Sequence, residues 1–266
     1  HGTSRRQRQM CIRDRYKVRL EVLRDCYFGA LDAPFDDPAS IGIFTEDDLL
    51  WQEILIPFSG IDDTLTLEIP NNVCVFPIDI CVHRTIYETV ITLPQSVNYF
   101  TISYQRCCRS SVITNLLDPL DIGMTFHTQI TPTQNNSSPQ FNTGFPFAVF
   151  KDTPFSYDGS ATDADGDSLV YELANPFYGG DLTFPQPQPP NNPPYDTIGF
   201  LNPPYSTSNM LGGNYPLAID TETGEMSAIP TTLGVFQIAY SVKEYRDGDH
   251  IGTIYREFAF VVTQAM

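Results

Sequence analysis

Apolar and polar residues alternate along much of the chain with a period of two. In YKVRLEVLR, residues 16 to 24, Val18, Leu20 and Val22 fall on one side and Lys17, Arg19 and Glu21 on the other, the pattern of a strand with one buried face. Strand-like runs follow at Trp51 to Phe58, Thr64 to Ile69, Arg84 to Leu93, Val97 to Gln105 and Met124 to Ile130, divided by turn-rich pieces such as SGIDD and IPNN. A second set lies at Phe145 to Phe150, Ser168 to Leu173, Leu217 to Ile219, Phe236 to Glu244 and Thr253 to Thr263. The last two flank RDGD, 246 to 249, in which Asp-Gly is a strong hairpin signal. Only SSVITNLL, 110 to 117, offers a short helical turn. With no long amphipathic helix for crossovers, short strands at this spacing predict an all-β protein of two consecutive β-sandwiches rather than a parallel α/β sheet.

The break between the two sets falls near residue 132. TPTQNNSSPQF, 131 to 141, is polar and without apolar period, and Pro132 and Pro139 stand where a strand would need amide donors. The expected organisation is a β-sandwich over 16 to 132, carrying most of the cysteines, and a second over 133 to 266. Within the second, residues 184 to 205 begin FPQPQPPNNPPY and read as a polyproline-like loop, either a rigid connector or an exposed surface for contacts.

Composition supports a folded core. The 266 residues are 41% hydrophobic with 18 Phe and 14 Tyr, while 22 Pro and 17 Gly argue against long helices. A formal net charge of −17 gives no electrostatic means of gripping nucleic acid or anionic lipid. No apolar run approaches the ~20 residues needed to span a bilayer. The charge is uneven: residues 1 to 15 hold five arginines and one acid, and removing them leaves 10 basic against 31 acidic residues, a balance of −21. That basic start could be an arm for an acidic partner. The string RQRQMCIRDR is also similar to the read-through translation of a sequencing adapter found at the ends of environmentally derived fragments. On that resemblance residues 1 to 15, Cys11 included, are a non-native leader, the native sequence begins near Tyr16, and the missing signal peptide reflects truncation.

Five cysteines then remain: Cys26, Cys74, Cys81, Cys107 and Cys108. Their spacing lacks the short gap of a zinc knuckle, and His83 is the one nearby histidine, so disulfides between strand ends or loops are the better account. If the backbone is extended at Cys107 and Cys108, their side chains leave opposite faces, which favours two separate distant partners over a bond to each other.

The sharpest local signal is DADGDSLVYEL, 163 to 173. Asp163, Asp165 and Asp167 repel one another unless a hard cation lies among them, and Ca²⁺ takes six to eight oxygen ligands. An EF-hand does not fit, because the sixth position is Ser168, the twelfth is Ala174, and a strand-like run follows. The alternative is an acidic turn without metal. The order NNSSPQF, DADGDSLVYEL, LAIDTETGEMSAIPTTLGVFQIAYSVKEYRDG and FAFVV resembles the cadherin-like immunoglobulin-fold domains of bacterial surface proteins over residues 135 to 262. That resemblance implies Asp163, Asp165, Asp167 and Glu244 as Ca²⁺ ligands, with Asn135, Asn136 and Asp220 as weaker ones. Two departures stand out: the linker lacks an aspartate between its asparagines, and Tyr245 and Arg246 follow Glu244. If Glu244 is no ligand, it pairs with Arg246 or Arg256.

VLRDC at 22 to 26, YQRCCRSSVITNL at 104 to 116, SATDADGDSLVYEL, EYRDG and REFAFVV together look like a family of uncharacterised secreted proteins of gliding, type IX-secreting bacteria. The resemblance implies an extracellular or cell-surface location, adhesion, neighbouring β-sandwich modules of the same chain as partners, and no established activity. Surface glycans or proteins are further expected partners.

Signals for catalysis are thin. His1, His83, His127 and His250 occur without a Gly-flanked nucleophilic serine, a His-Glu-x-x-His pair or a phosphate-cradling loop. The acids Asp36 with Asp37, and Glu46 with Asp47 and Asp48, lie in turn-like sequence, where burial would have to raise one pKa for glycoside hydrolysis. Trp51, Tyr99, Tyr104, Tyr195 and Tyr205 are the sugar-stacking candidates of the alternative function, a carbohydrate-binding module attached to a secreted enzyme.

Overall fold

The structure of the protein is a computed structural model that describes residues 15–25, 34–65, 81–142, 144 and 148–264. Among the described residues it is all β, and no helix is long and apolar enough to cross a membrane. The first sandwich uses β1 (Arg15–Asp25), β2 (Ala39–Thr45), β3 (Leu50–Ile56), β4 (Asp63–Leu65), β5 (Val82–Thr92), β6 (Phe100–Arg106) and β7 (Met124–Ile130). Its sheets are ordered β1-β5-β4 and β3-β2-β6-β7, and every pairing is antiparallel. The alternation in β1 sends Val18, Leu20 and Val22 into a core with Ile41, Ile43, Tyr87, Phe100 and Ile102. Burying a side chain such as Phe100 completely is worth about 1.5–3 kcal/mol.

The second sandwich uses β8 (Gln140–Phe141), β9 (Ala148–Phe150), β10 (Phe155–Asp158), β11 (Ala161–Thr162), β12 (Ser168–Leu173), β13 (Tyr215–Ile219), β14 (Glu225–Ile229), β15 (Gly234–Arg246) and β16 (Asp249–Thr263). A four-stranded sheet β12-β15-β16-β9 accompanies β10-β14-β13 and the short pair β11-β8. The predicted Asp-Gly hairpin joins β15 to β16, with positive φ at both Asp247 and Gly248, as a type I′ turn needs. Phe236, Ile238, Tyr240 and Val242 form the inward row of β15 and meet Tyr171 and Phe258 in the core.

β6 falls in the run read as Val97 to Gln105, where Phe100, Ile102 and Tyr104 alternate with Thr101, Ser103 and Gln105, whereas β2 was not read as a strand, because both its faces are covered and the adjacent Ile43 and Phe44 break the alternation. The covering comes from the proline-rich loop. Asn191 N–H donates to Gln105 Oε1 at 2.8 Å, Tyr195 OH to Ser103 Oγ at 2.8 Å, and Gln186 Nε2 to the Pro38 carbonyl at 2.8 Å. Gly42 is required under this strap, because a Cβ there would lie 2.6 Å from the Phe44 ring and 3.3 Å from Pro190 Cδ. The loop belongs to the second set of strands in sequence, yet it closes the outer face of the first.

The reverse exchange involves SSVITNLL. No helical turn forms there; instead Ile113 makes a parallel bridge to Val235, and Thr114 N–H donates to the Val235 carbonyl at 2.7 Å. Tertiary pairing overrides the local preference. Ile113, Leu116 and Ile122 sit in the second core, and a 3-10 turn follows at Pro119–Asp121. Asn115, fully buried, donates to the carbonyls of Met210 and Gln237 and accepts from Gln237 N–H, each at 2.9 Å. Each set of strands therefore lends a segment to the other.

Candidate functional site

Glu244 continues the inward row of β15 to the end of the second sandwich, where the core gives way to the loop between β11 and β12. It is 2% exposed. Its cross-strand neighbour on β16 is Gly252, and a Cβ there would stand 2.2 Å from Glu244 Oε2, so the absent side chain makes room for the carboxylate. The DADGD loop turns beneath it through Gly166 at φ +83. Asp163 Oδ1 accepts N–H bonds from Asp165 at 2.9 Å and Asp167 at 2.8 Å, which aims the remaining oxygens toward the pole of the sandwich.

One oxygen each from Asp163, Asp167 and Glu244 lie within 4.8 Å of one another. Asp163 Oδ2 is fully buried and has no hydrogen-bond partner. Burial pushes the Glu244 carboxyl up to about 7, with the charges of Asp163 and Asp167 adding to the rise and a hydrogen bond from Asn136 opposing it. Asn136 Nδ2 donates to Glu244 Oε1 at 3.0 Å. Asp165 is turned outward, and its Oδ2 accepts the Ser137 N–H at 2.6 Å, fastening the linker to the loop. An all-oxygen set with one buried orphan oxygen fits a hard divalent cation, Ca²⁺ before any thiophilic metal. Asp163, Asp167 and Glu244 would hold it, with Asn136 beside them.

Arg246 occupies the other side of Asp167. Its Nε donates to Asp167 Oδ1 at 2.7 Å and its Nη2 to Oδ2 at 2.5 Å, a bidentate pair. The same guanidinium reaches Asn136 Oδ1 at 2.9 Å and the Asn135 carbonyl at 3.2 Å. Arg246 is thus drawn to Asp167 rather than Glu244. Arg256 lies in the core, 4.5 Å over the Phe141 ring and donating to Tyr157 OH at 2.8 Å. The Asp167 partner of Arg246 is not legible in the sequence, because the bidentate bond depends on the hairpin geometry. Gly252 was missed altogether, because counting back across the RDGD turn sets Ile251 opposite Glu244, and only the register shift between Glu244 and Tyr245 brings Gly252 there.

Asp220 stands apart, in the turn between β13 and β14. Its Oδ1 accepts N–H bonds from Glu222 at 3.0 Å and Thr223 at 2.7 Å, and these bonds hold its carboxyl below the usual range.

The cysteines depart from expectation. Cys107 and Cys108 are bonded to each other, against the expected separate partners. That expectation assumed extended backbone, but β6 ends at Arg106 and the peptide between the cysteines is cis, with their Cα atoms 3.0 Å apart. Cys81 is disulfide-bonded. Cys26 and Cys74 lie outside the described residues.

The remaining candidates have local roles. Asp36, expected in an exposed turn, is buried: Arg106 Nε bonds one oxygen at 2.9 Å and Tyr104 OH the other at 2.7 Å, while desolvation raises its pKa. Asp37 instead accepts the Phe58 N–H at 2.9 Å, so the two acids do not converge. Glu46 accepts both Asn98 N–H at 2.5 Å and Nδ2 at 3.0 Å. Trp51 packs on Phe100 with centroids 5.4 Å apart, and Tyr205 is in the second core. His127 of β7 sits among Phe177, Tyr195 and Tyr255 at centroid distances of 4.7, 5.1 and 5.2 Å.

The fold and the site together define an all-β sandwich protein with an acidic cluster at one pole. No family model, curated protein or solved structure matches the chain.

Proposed function

We propose that this chain is a non-catalytic structural or adhesive segment of an extracellular, cell-surface protein, stiffened by Ca²⁺ at Asp163, Asp167 and Glu244. The observation that carries the reading is the convergence of three carboxylates around the buried, unpartnered Oδ2 of Asp163. Without a cation the cluster sets like charges together in a desolvated place, which is unfavourable unless one is protonated. A bound ion removes that penalty and ties the linker, through Asn136, to the loop and the end of β15. The sequence resemblance to cadherin-like surface domains supports the location and the adhesive role.

Calorimetric titration and thermal melting of the full chain in Ca²⁺ and in EDTA test this. Ca²⁺ at about 100 times its dissociation constant should stabilise by about 2.7 kcal/mol, and Asp163→Asn or Glu244→Gln should abolish the gain. No heat and no melting shift at millimolar Ca²⁺ would refute the reading.

A further inference from the structure

The outer face of the second sandwich's large sheet carries a second constellation. Glu172 of β12, Ser241 of β15 and Tyr255 of β16 stand in one cross-strand row, and Lys243 lies two residues along β15 on the same face. The chain leaving β12 at Asn175 and Phe177 rises over this row, and Thr197 and Thr207 complete an open groove of about 320 Å³. That is the small end of the roughly 300–1,000 Å³ range of ligand pockets, in a groove open to solvent rather than an enclosed cavity.

The lining chemistry is specific. Tyr255 and Phe177 meet edge to face at 4.9 Å and 85°, giving one apolar aromatic wall. Opposite it, Lys243 Nζ donates to Glu172 Oε2 at 2.6 Å, so the groove's two charges cancel while Glu172 keeps acceptor and Lys243 keeps donor capacity. Asn175 Oδ1 accepts the Thr207 hydroxyl, which leaves the Asn175 amide donors for another partner. The hydroxyls of Tyr255, Ser241 and Thr197 make no side-chain hydrogen bond among the described residues. An aromatic wall facing mixed donors and acceptors with no net charge suits a molecule whose hydroxyls both donate and accept and whose ring C–H face is apolar. A phosphate would find its one cation already neutralised, and a purely apolar ligand would strand the polar wall.

We propose that this groove binds a neutral saccharide through one pyranose residue, with Tyr255 and Phe177 against the ring and Asn175, Lys243 and Glu172 on its hydroxyls. The site is separate from the acidic cluster and needs no cation. Trp51, 40% exposed and packed against Phe100, lies outside this groove.

The test is retention of the full chain, in EDTA, on an array of gluco-, manno-, galacto- and N-acetylated neutral oligosaccharides, with dissociation constants by titration of the best binder. At least one class should be retained, and Asn175→Ala and Lys243→Met should each weaken binding about tenfold or more, equivalent to ~1.4 kcal/mol, with melting temperature unchanged. Tyr255 also touches His127, so Tyr255→Phe serves only as a check that the hydroxyl contributes. No retention of any array member at about 100 μM protein, or retention undiminished in both groove variants, overturns the proposal. Loss confined to Trp51→Ala overturns it equally, since that would place the sugar on the first sandwich.

Discussion

At the scale of single residues, Asn115 and Gly252 show how much can rest on one side chain or its absence. Asn115 ties a borrowed segment to β15 and to Met210 with three hydrogen bonds, all at a fully buried position. Asn115→Ala leaves the Gln237 N–H and two carbonyls unsatisfied, at about 1–3 kcal/mol for each stranded group, so urea denaturation should show a loss of several kcal/mol. Gly252→Ala acts differently. The new methyl meets Glu244 Oε2, and the expected outcome is Ca²⁺ binding weakened at least tenfold in calorimetry, about 1.4 kcal/mol, with the β15-β16 hairpin retained. The carboxylates of DADGD were legible in sequence because like charges at alternate positions demand an explanation in any fold. Arg246 was harder, since its bidentate bond to Asp167 depends on the two-residue turn that sets the direction in which β15 ends.

At the scale of elements, strands whose residues alternate were readable even where both faces are covered, as in β6, and β2, in which Ile43 and Phe44 set apolar residues on both faces, was not. β1, β7 and β12 lie within a residue of where their alternation placed them. β2 and β6 are both enclosed by the proline-rich loop, yet only β2 went unread; β14, five residues long and set directly after a tight turn, went unread as well. His127 of β7 shows what that enclosure does to chemistry. Its Nδ1 is buried without a partner, and desolvation lowers its pKa to about 4. The unfolded chain takes up a proton near pH 6.5 and the folded one only near 4, so stability from this residue is complete above 6.5 and falls as pH drops through that window. The loss is on the order of 3 kcal/mol, and equilibrium unfolding from pH 7 to 4 should register it. His127→Phe keeps the aromatic packing and should flatten that part of the profile; an unchanged slope would mean other groups dominate.

At the scale of the molecule, the two cores are distinct in their residues and interlocked in their chain. Ile113, Leu116 and Ile122 come before the linker and pack after it, while Gln186, Asn191 and Tyr195 come after it and pack before it. No local pattern announces such an exchange, because it depends on contacts across 86 to 148 residues. Arg109, next to the vicinal disulfide, seals the crossing: it is 4% exposed, pairs with Glu257 of β16, and donates to the Phe177 carbonyl at 3.2 Å. Burial lowers its pKa to about 9, still well above neutrality, so the pair remains ionic. Breaking one side strands a buried charge, and Arg109→Met should therefore cost about 3–5 kcal/mol. Replacing both as Arg109→Met with Glu257→Leu removes the stranded charge and should recover most of that loss. The interlocking also predicts how the whole chain melts. If each core depends on a segment anchored in the other, unfolding is one cooperative transition, and the calorimetric and van't Hoff enthalpies of the full chain agree. Two separated transitions, with the single Arg109 variant shifting only one of them, would show instead that the exchanged segments are dispensable to the cores they enter.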